Sequence, residues 1–357
     1  MPRVVEGFHP SKSHPGARLY HQSWHPDFDD AATPPRAAVV WAHGVHEHSG
    51  RFVKLYEHLA ASGIASHAWD HVGHGASDAC PPGVPHQFPN GLNAVVDDAA
   101  RYFGRVRRMY PPDVPVMLAG VSMGGLVATL AVLDAGISPD ALILVAPLVD
   151  VDMSAAMKAQ AAVGGLLARA VPNARITPGV EPRRLSKDAD AVREYVEDPR
   201  VFVGNLRVGL GYELLKGFAR MRRRWSEVRT PLLVLHGTDD EATDPRASRR
   251  FFDAATSADK KFVSLKGACH LICHEAGASR RVMDEVLAFV SSRAGNGGST
   301  GREWAAEAGS RASAAAGGSA GRGGGTSGRA AGVSNVRTRT AGVRSGEHAF
   351  AARAARL

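Results

Sequence analysis

Short apolar segments and longer helical segments alternate along the first 290 residues of the chain. The apolar segments are rich in valine, isoleucine and leucine, and each predicts a strand that is buried on both faces of a sheet. They are residues 37–41, 64–69, 115–119, 141–146, 231–235 and 261–265. Helices are predicted at residues 52–62, 93–109, 123–135, 246–255 and 278–290. This alternation predicts an α/β fold with a mostly parallel sheet flanked by helices, and residues 10–25 predict antiparallel edge strands.

The alternation is interrupted once, between the apolar segments that end at residue 146 and begin at residue 231. The 84 residues between them far exceed the roughly twelve that a crossover connection needs. They predict a helical cap, residues 147–230, inserted after the sixth strand between two parts of the core, residues 1–146 and 231–291. Within the cap, residues 153–171 carry only two charges. They predict either a buried helix or a lid helix whose apolar face meets a lipid or a membrane surface.

Residues 292–357 differ from the rest of the chain in composition. They contain 15 glycines, 17 alanines and ten arginines, but only five residues drawn from isoleucine, leucine, valine and phenylalanine. Such a segment buries too little apolar surface to offset the entropy lost on ordering, so it predicts a disordered tail. The tail also carries +7 of the chain's net charge of +8. The folding part is therefore almost neutral, and nucleic-acid binding is not expected of it.

The chain shows none of the usual sequence signals for export or membrane insertion. Its longest apolar stretches, such as residues 141–149, are far shorter than the roughly 20 residues that span a bilayer. The first seven residues include charges where a signal peptide needs an apolar segment. Three cysteines provide no disulfide framework. These features predict a cytoplasmic protein, with peripheral membrane contact through the cap as an open alternative.

A candidate nucleophile lies between a predicted strand and a predicted helix. Gly120, Ser122 and Gly124 fit the pattern G-x-S-x-G of a nucleophile elbow. Residues 297–301 and 317–321 fit it too, but both lie in the predicted tail. A strand-to-helix turn exposes the serine at the carboxyl edge of the sheet, so Ser122 is the predicted nucleophile.

A serine hydroxyl needs a base to take its proton and an acid to orient that base. In the fold that carries this elbow, the chain order is serine, acid, histidine. Four acids follow the strand predicted at residues 231–235. They are Asp239, Asp240, Glu241 and Asp244. Asp240 is the preferred candidate and Asp239 the alternative, since acids near Pro245 are typical helix caps. His270 follows the last predicted strand and is the predicted base.

Two further sites are suggested by the residues around this set. Residues 269–274 hold two cysteines and two histidines, which also allows a zinc site, but zinc usually needs a second ligand cluster and Cys80 is the remaining thiol. A zinc ion is therefore not expected. An oxyanion hole needs backbone donors. The amide of Met123 is one candidate, and the amide of Val45, in the loop after an early strand, is the other.

Five motifs resemble those of monoacylglycerol lipases of the α/β-hydrolase fold. They are residues 43–51, 70–77, 120–124, 236–240 and 267–270. The resemblance implies hydrolysis of a monoacylglycerol to a fatty acid and glycerol without a cofactor. It implies a triad and an oxyanion hole formed by Ser122, Asp240, His270, Val45 and Met123. It also implies that Glu47 and Arg51 line the polar head-group end of the site, where the residues alone equally allow simple loop packing.

Two positions depart from the family pattern, and several functions stay open. Val45 stands where a small residue is common, and Cys273 stands where a polar residue is expected. A lysophospholipase or a general carboxylesterase would use the same triad. His25 and Asp30 fit an H-x₄-D pattern that suggests an acyltransferase. A hydrolase fold without catalysis, serving as a binding module, is the remaining alternative. The expected partner is a lipid ester, and the sequence predicts no oligomeric state.

Overall fold

The computed structural model describes residues 1–27, 33–79, 83–84, 86, 88, 90–151 and 164–294. Eight strands of these ranges form one sheet. They are β1 (Arg3–Pro10), β2 (Arg18–His25), β3 (Ala37–Ala42), β4 (Ile64–Trp69), β5 (Val116–Val121), β6 (Leu142–Val145), β7 (Leu232–Gly237) and β8 (Lys260–Leu265). Their order across the sheet is β1-β2-β4-β3-β5-β6-β7-β8.

The direction of the strands follows the predicted pattern. The six strands β3 to β8 pair in parallel with one another. β1 pairs antiparallel with β2, and β2 pairs antiparallel with β4. The predicted mostly parallel sheet is therefore confirmed. The edge strands differ from the prediction in their position, because β1 begins at Arg3 rather than near residue 10. β1 is exposed over most of its length, so its sequence carries little of the apolar signal that marks a buried strand.

Helices cover both faces of the sheet where the structure describes them. They are Val53–Ala60, Gly91–Arg107, Met123–Asp134, Pro182–Leu185, Ala189–Glu197, Val208–Arg222, Pro245–Ala254 and Ser279–Ser291, with short 3₁₀ turns at Ser49–Phe52 and Trp225–Glu227. Alternate residues of one strand pack on opposite faces of the sheet. Ala38 and Val40 of β3 join one apolar core, whereas Val39 and Trp41 join the other. This alternation explains why the central strands are apolar throughout.

About half of the described residues in the segment between β6 and β7 are helical. Residues 164–170 are helical, and the helix Val208–Arg222 buries Leu210, Leu214 and Phe218 in the core cluster on one face of the sheet. Residues 152–163, most of the predicted apolar helix 153–171, lie outside the described residues. In the described remainder of that helix Leu166 is 72% exposed, so this part of the segment does not follow the buried alternative.

The last described residues extend slightly into the predicted tail. Residues 292–294 form a turn after the final helix. Arg293 donates a hydrogen bond to the Phe289 carbonyl at 2.8 Å and contacts the carboxylate of Asp259. The rest of the predicted tail, residues 295–357, lies outside the described residues. No helix in the described ranges combines the length and the apolar character that crossing a bilayer requires.

Candidate active site

Ser122 lies at a strained turn between β5 and the helix that follows it. Its backbone has a φ of 51° and a ψ of −120°, which a residue other than glycine rarely adopts. The glycines around it allow this close packing. A Cβ atom on Gly120 would lie 2.2 Å from the Gly124 carbonyl oxygen, and one on Gly124 would lie 2.1 Å from the Ala42 carbonyl oxygen. Small residues at these two positions are therefore a steric requirement of the turn.

Asp240 and His270 form a close pair at the same edge of the sheet. Nδ1 of His270 lies 2.8 Å from Oδ2 of Asp240. The carboxylate is held in place by the amides of Ala242 and Thr243, which both donate to Oδ1 at 2.8 Å, and by the Thr243 hydroxyl, which donates to Oδ2 at 2.8 Å. Because an ionised carboxylate only accepts hydrogen bonds, Nδ1 of His270 carries the proton and Nε2 keeps its lone pair.

The electrostatics of the pair favour an ionised acid. Burial alone would raise the pKa of Asp240, but the interaction with His270 and the hydrogen bonds from His236 and His270 outweigh it and hold that pKa well below its usual range. Burial alone would likewise lower the pKa of His270, but the charge of Asp240, its hydrogen bond to the ring and the charges of Glu47 and Glu275 together outweigh burial and raise that pKa above its ordinary value of 6.5. The imidazole is thus prepared to accept a proton.

His236 and Thr243 complete this arrangement, and neither was predicted from the sequence. Nε2 of His236 lies 3.1 Å from Oδ2 of Asp240, and its Nδ1 lies 2.8 Å from the Ser248 hydroxyl. Both residues lie in the same stretch as the candidate acids, but a histidine and a threonine there match no catalytic pattern. Asp239, the alternative acid, does not contact His270, because its carboxylate pairs instead with Lys187 on the surface.

The predicted oxyanion donors lie in two segments that approach Ser122. A Cβ atom on Gly44 would lie 3.1 Å from Cβ of Ser122, so the loop after β3 passes directly beside this serine. The next residue along, Val45, lines the same cavity as Ser122. Within the described part of the chain, neither the amide of Val45 nor that of Met123 donates to a backbone or side-chain acceptor. Two unused donors beside a serine suit a developing oxyanion.

A cavity of about 470 Å³ brings Ser122, Val45, Thr243 and His270 together. Its size is typical of small-molecule sites. Many of its lining side chains are apolar and come from the segment between β6 and β7. They are Leu148, Val151, Leu167, Ile176, Pro178, Val180, Leu185, Phe202, Leu206, Val208, Leu214, Leu215 and Phe218. The site therefore offers an apolar chamber next to a serine, a histidine and an acid.

Comparison with known proteins agrees with this arrangement. A family model described as serine aminopeptidase, S33, matches residues 33–277. A monoglyceride lipase homolog of monkeypox virus is 31% identical over 283 residues, which cover 77% of this chain and 95% of that protein. The chain belongs to the monoacylglycerol lipases and related serine hydrolases.

Two further relatives support the membership. A monoacylglycerol lipase of Mycolicibacterium smegmatis is 30% identical over 280 residues, which cover 78% of this chain and 94% of that protein. The crystal structure of the monoacylglycerol lipase of Paleococcus ferrophilus matches with a TM-score of 0.65 at 27% identity, covering 77% of this chain and 99% of that one. The α/β-hydrolase fold predicted from the motifs is thus confirmed, and the protein is a carboxylic ester hydrolase of the lipase and esterase type.

Glu47 and Arg51, which the monoacylglycerol lipase resemblance assigns to the head-group end, are bonded to each other and to the loop that follows β3. The Gly44 amide donates to Oε1 of Glu47 at 2.7 Å, and Nε of Arg51 lies 3.3 Å from Oε2. The guanidinium of Arg51 lies 4.9 Å from the ring centre of Tyr195. Burial raises the pKa of Glu47 although Arg51 opposes it. Glu47 lines the cavity, so it combines a packing role with a place in the site.

Cys273, which departs from the lipase pattern, also lines the cavity. Burial raises the pKa of its thiol to about 12, so the group stays a neutral, weak hydrogen-bond donor. The zinc alternative at residues 269–274 finds no support among the described residues, which contain no group of three or more histidine, cysteine or acidic side chains placed to hold a metal ion. Cys80, and Asp30 of the acyltransferase pattern, lie outside the described residues.

Proposed function

We propose that the protein hydrolyses monoacylglycerols to a fatty acid and glycerol through an acyl-enzyme on Ser122. The observation that carries the proposal is the cavity, which joins Ser122 and the Asp240–His270 pair to a chamber lined largely by apolar side chains. An acyl chain fits such a chamber because its apolar surface leaves water on binding. The relatives named as monoglyceride lipases support the same substrate class.

In the proposed mechanism His270 Nε2 takes the hydroxyl proton of Ser122 as its oxygen attacks the ester carbonyl carbon. The amides of Val45 and Met123 stabilise the oxyanion that forms. The tetrahedral intermediate collapses, the bond to the glycerol oxygen breaks, and His270 gives that oxygen its proton. A water molecule then attacks the acyl-enzyme by the same route and releases the fatty acid. Asp240 stays ionised throughout and stabilises the imidazolium.

The charges in the cavity favour a neutral head group over the amino group of an aminopeptidase substrate and over the phosphate of a lysophospholipid. Among the described lining residues Glu47 is the sole carboxylate, and it already binds Arg51 and the Gly44 amide. An aminopeptidase substrate would therefore find no uncommitted acid for its amino group. No lysine or arginine is among these lining residues, so the phosphate of a lysophospholipid would also lack a cation. Glycerol needs neither.

The exposed apolar side chains of residues 147–230 support the proposal that this segment is a cap that contacts lipid surfaces. Leu166 is 72% exposed, and Ile176 is 60% exposed while also lining the cavity. An exposed apolar surface next to a substrate chamber lets lipid enter without crossing water. Replacing Leu166, which does not line the cavity, by serine should weaken hydrolysis of vesicle-bound monoacylglycerol but not of a soluble ester. Wild-type activity of this variant on both substrates would count against lipid contact.

A substrate panel on the wild type and on Ser122→Ala tests the function. The panel contains a monoacylglycerol, a lysophospholipid, a simple carboxylic ester and an amino-acid amide. We expect preference for the monoacylglycerol and a fall in kcat of about 10⁶-fold in Ser122→Ala, because the triad acts as a unit. Ser226→Ala, at an exposed serine, is the matched control. Substantial activity in Ser122→Ala, or no labelling of the wild type by a fluorophosphonate, would contradict the proposal.

A further inference from the structure

The helix Ala189–Glu197, which belongs to the segment between β6 and β7, is attached at both ends to loops of the core. At its amino-terminal side the Leu185 carbonyl accepts hydrogen bonds from the backbone amides of His270 at 2.9 Å and Leu271 at 3.0 Å. The loop that holds the proposed catalytic base is thus bonded directly to this segment, through its own backbone.

Two side-chain contacts strengthen the same attachment. The Ser186 hydroxyl donates to Oε1 of Glu275 at 2.7 Å, and Glu275 also accepts from the amide of Cys269 at 3.2 Å. Oδ2 of Asp188 accepts from the amide of Ala276 at 3.0 Å. Glu275 is buried, so its carboxylate is a fixed partner for the residue immediately before the histidine.

At the carboxyl-terminal side the attachment is to the loop that follows β3, residues 43–51. We call it the oxyanion loop because it contains Val45, a proposed oxyanion donor. Nε2 of His48 lies 2.9 Å from Oδ2 of Asp198, and Nδ1 of the same ring accepts from the Gly50 amide. The Phe202 amide donates to the His46 carbonyl at 2.9 Å. His46 has a φ of 63°, a conformation that is uncommon for a residue other than glycine. It directly follows Val45, a proposed oxyanion donor.

The two loops belong to strands that are far apart in the sheet. The oxyanion loop follows β3 and the histidine loop follows β8, with β5, β6 and β7 between them. Four strand spacings amount to about 19 Å. A nine-residue helix is about 13.5 Å long, and the residues that flank it supply the remainder. The helix therefore bridges the carboxyl edge of the sheet between the two halves of the catalytic machinery.

We propose that the segment Leu185–Phe202 is a strut that sets the position of the catalytic histidine relative to the oxyanion donors, with Glu275 and Asp198 as positioning residues at its two ends. This inference rests on the proposed function, since it takes His270 as the base and Val45 as a donor. Neither positioning residue touches the reacting atoms. Each acts through the loop that it holds.

The charge of Glu275 gives the proposal a readout beyond folding. The ionisable groups around His270 are Asp240, Glu47, Glu275 and His274. Glu275 adds to the negative charge that favours the protonated imidazole. Glu275→Gln removes the charge and keeps one oxygen that can accept from both Ser186 and Cys269, while the second oxygen, which also accepts from the Cys269 amide at 3.2 Å, becomes an NH₂ group. It should therefore preserve most of the geometry while it moves the acid limb of the pH profile to lower pH.

The experiment compares Glu275→Ala, Asp198→Ala and Glu275→Gln with the wild type on a soluble p-nitrophenyl ester. We expect each alanine variant to lose about 10- to 100-fold in kcat, because small displacements of catalytic groups have effects of this size. KM should change by less than about threefold. Glu275→Gln should recover most of kcat above the acid limb and show that limb at lower pH. Glu194→Ala, at an exposed residue of the same helix, should match the wild type.

The outcomes separate the strut from the function on which it rests. If Ser122→Ala is inactive and both alanine variants are folded with unchanged kcat, the strut is overturned and the function stands. If Ser122→Ala keeps wild-type activity in the same assay, the proposed function is overturned and the strut with it. If Glu275→Ala does not yield folded protein, Asp198→Ala decides, and a folded Asp198→Ala with unchanged kcat overturns the proposal.

Discussion

Replacing Asp240 by asparagine is the sharpest test of how the pair with His270 works. Oδ1 of Asp240 accepts two backbone amides at 2.8 Å, so the carboxamide oxygen of the variant must take that position. Its NH₂ group then faces Nδ1 of His270, where the carboxylate oxygen now accepts at 2.8 Å. Two donors cannot share this contact, so the ring changes tautomer, with Nδ1 accepting and Nε2 protonated. A protonated Nε2 cannot take the proton of Ser122.

The size of the effect follows from this loss of the base. A histidine held in the wrong tautomer lowers kcat by about 10⁴-fold, which corresponds to about 5.5 kcal/mol in the activation free energy. Steady-state hydrolysis of a soluble ester measures kcat, and the rate of fluorophosphonate labelling reports the reactivity of Ser122 independently of substrate binding. Both should fall together, while thermal unfolding shows whether the variant is folded.

Asp239→Asn is the matched control, one residue away. Asp239 pairs with Lys187 at the surface and does not contact His270, so kcat and the labelling rate should stay at the wild-type value. A fall of less than about tenfold in folded Asp240→Asn would refute the orienting role of this acid. A large fall in Asp239→Asn with none in Asp240→Asn would transfer the role to the alternative that the sequence left open.

Three further predictions follow from the geometry. Because Asp240 raises the pKa of His270 above 6.5, and the base must be neutral, kcat/KM should fall as pH drops through a value above 6.5; a flat acid limb would contradict this. Gly124→Ala should lower the free energy of unfolding by about 1–3 kcal/mol. The control Gly277→Ala, which has no described atom within 4 Å of the added methyl group, should leave that free energy unchanged. Equal melting temperatures of the two variants would count against the steric argument. Deleting residues 295–357 should leave hydrolysis of soluble esters intact, because this segment has few apolar residues; a cut that also removes Arg293 should lower the melting temperature.

The core of the fold was predictable because its strands are buried on both faces. Residues 37–41 were predicted and β3 spans Ala37–Ala42; residues 141–146 were predicted and β6 spans Leu142–Val145, and both strands are buried throughout. An uninterrupted apolar run leaves little freedom in where a strand begins and ends. β1 lacked this signal because it is an exposed edge strand, and its start was placed too late. Burial, rather than strand propensity, made the prediction accurate.

The site was predictable where chain order and local spacing determine which residues meet. It was not predictable where the direction of a side chain decides its contact. The turn at Ser122 follows from a strand, two small residues and a helix, all within a few positions. Asp239 and Asp240 could not be separated by sequence, because adjacent residues in a loop point in directions that only the surrounding hydrogen bonds set. The same limit hid His236, whose contact with Asp240 depends on how the end of β7 faces the loop. Contacts of this kind carry no sequence pattern.

The attachments of the segment between β6 and β7 lead to a mechanical expectation for the whole site. Residues 185–202 are bonded to the histidine loop at one end and to the oxyanion loop at the other. Any movement of this part would displace His270 or Val45, so an opening motion that preserves catalysis must leave it in place. The exposed Leu166 and Ile176 lie earlier in the segment, before these attachments. We therefore expect substrate entry to involve residues 164–180, while residues 185–202 keep the geometry of the catalytic groups fixed.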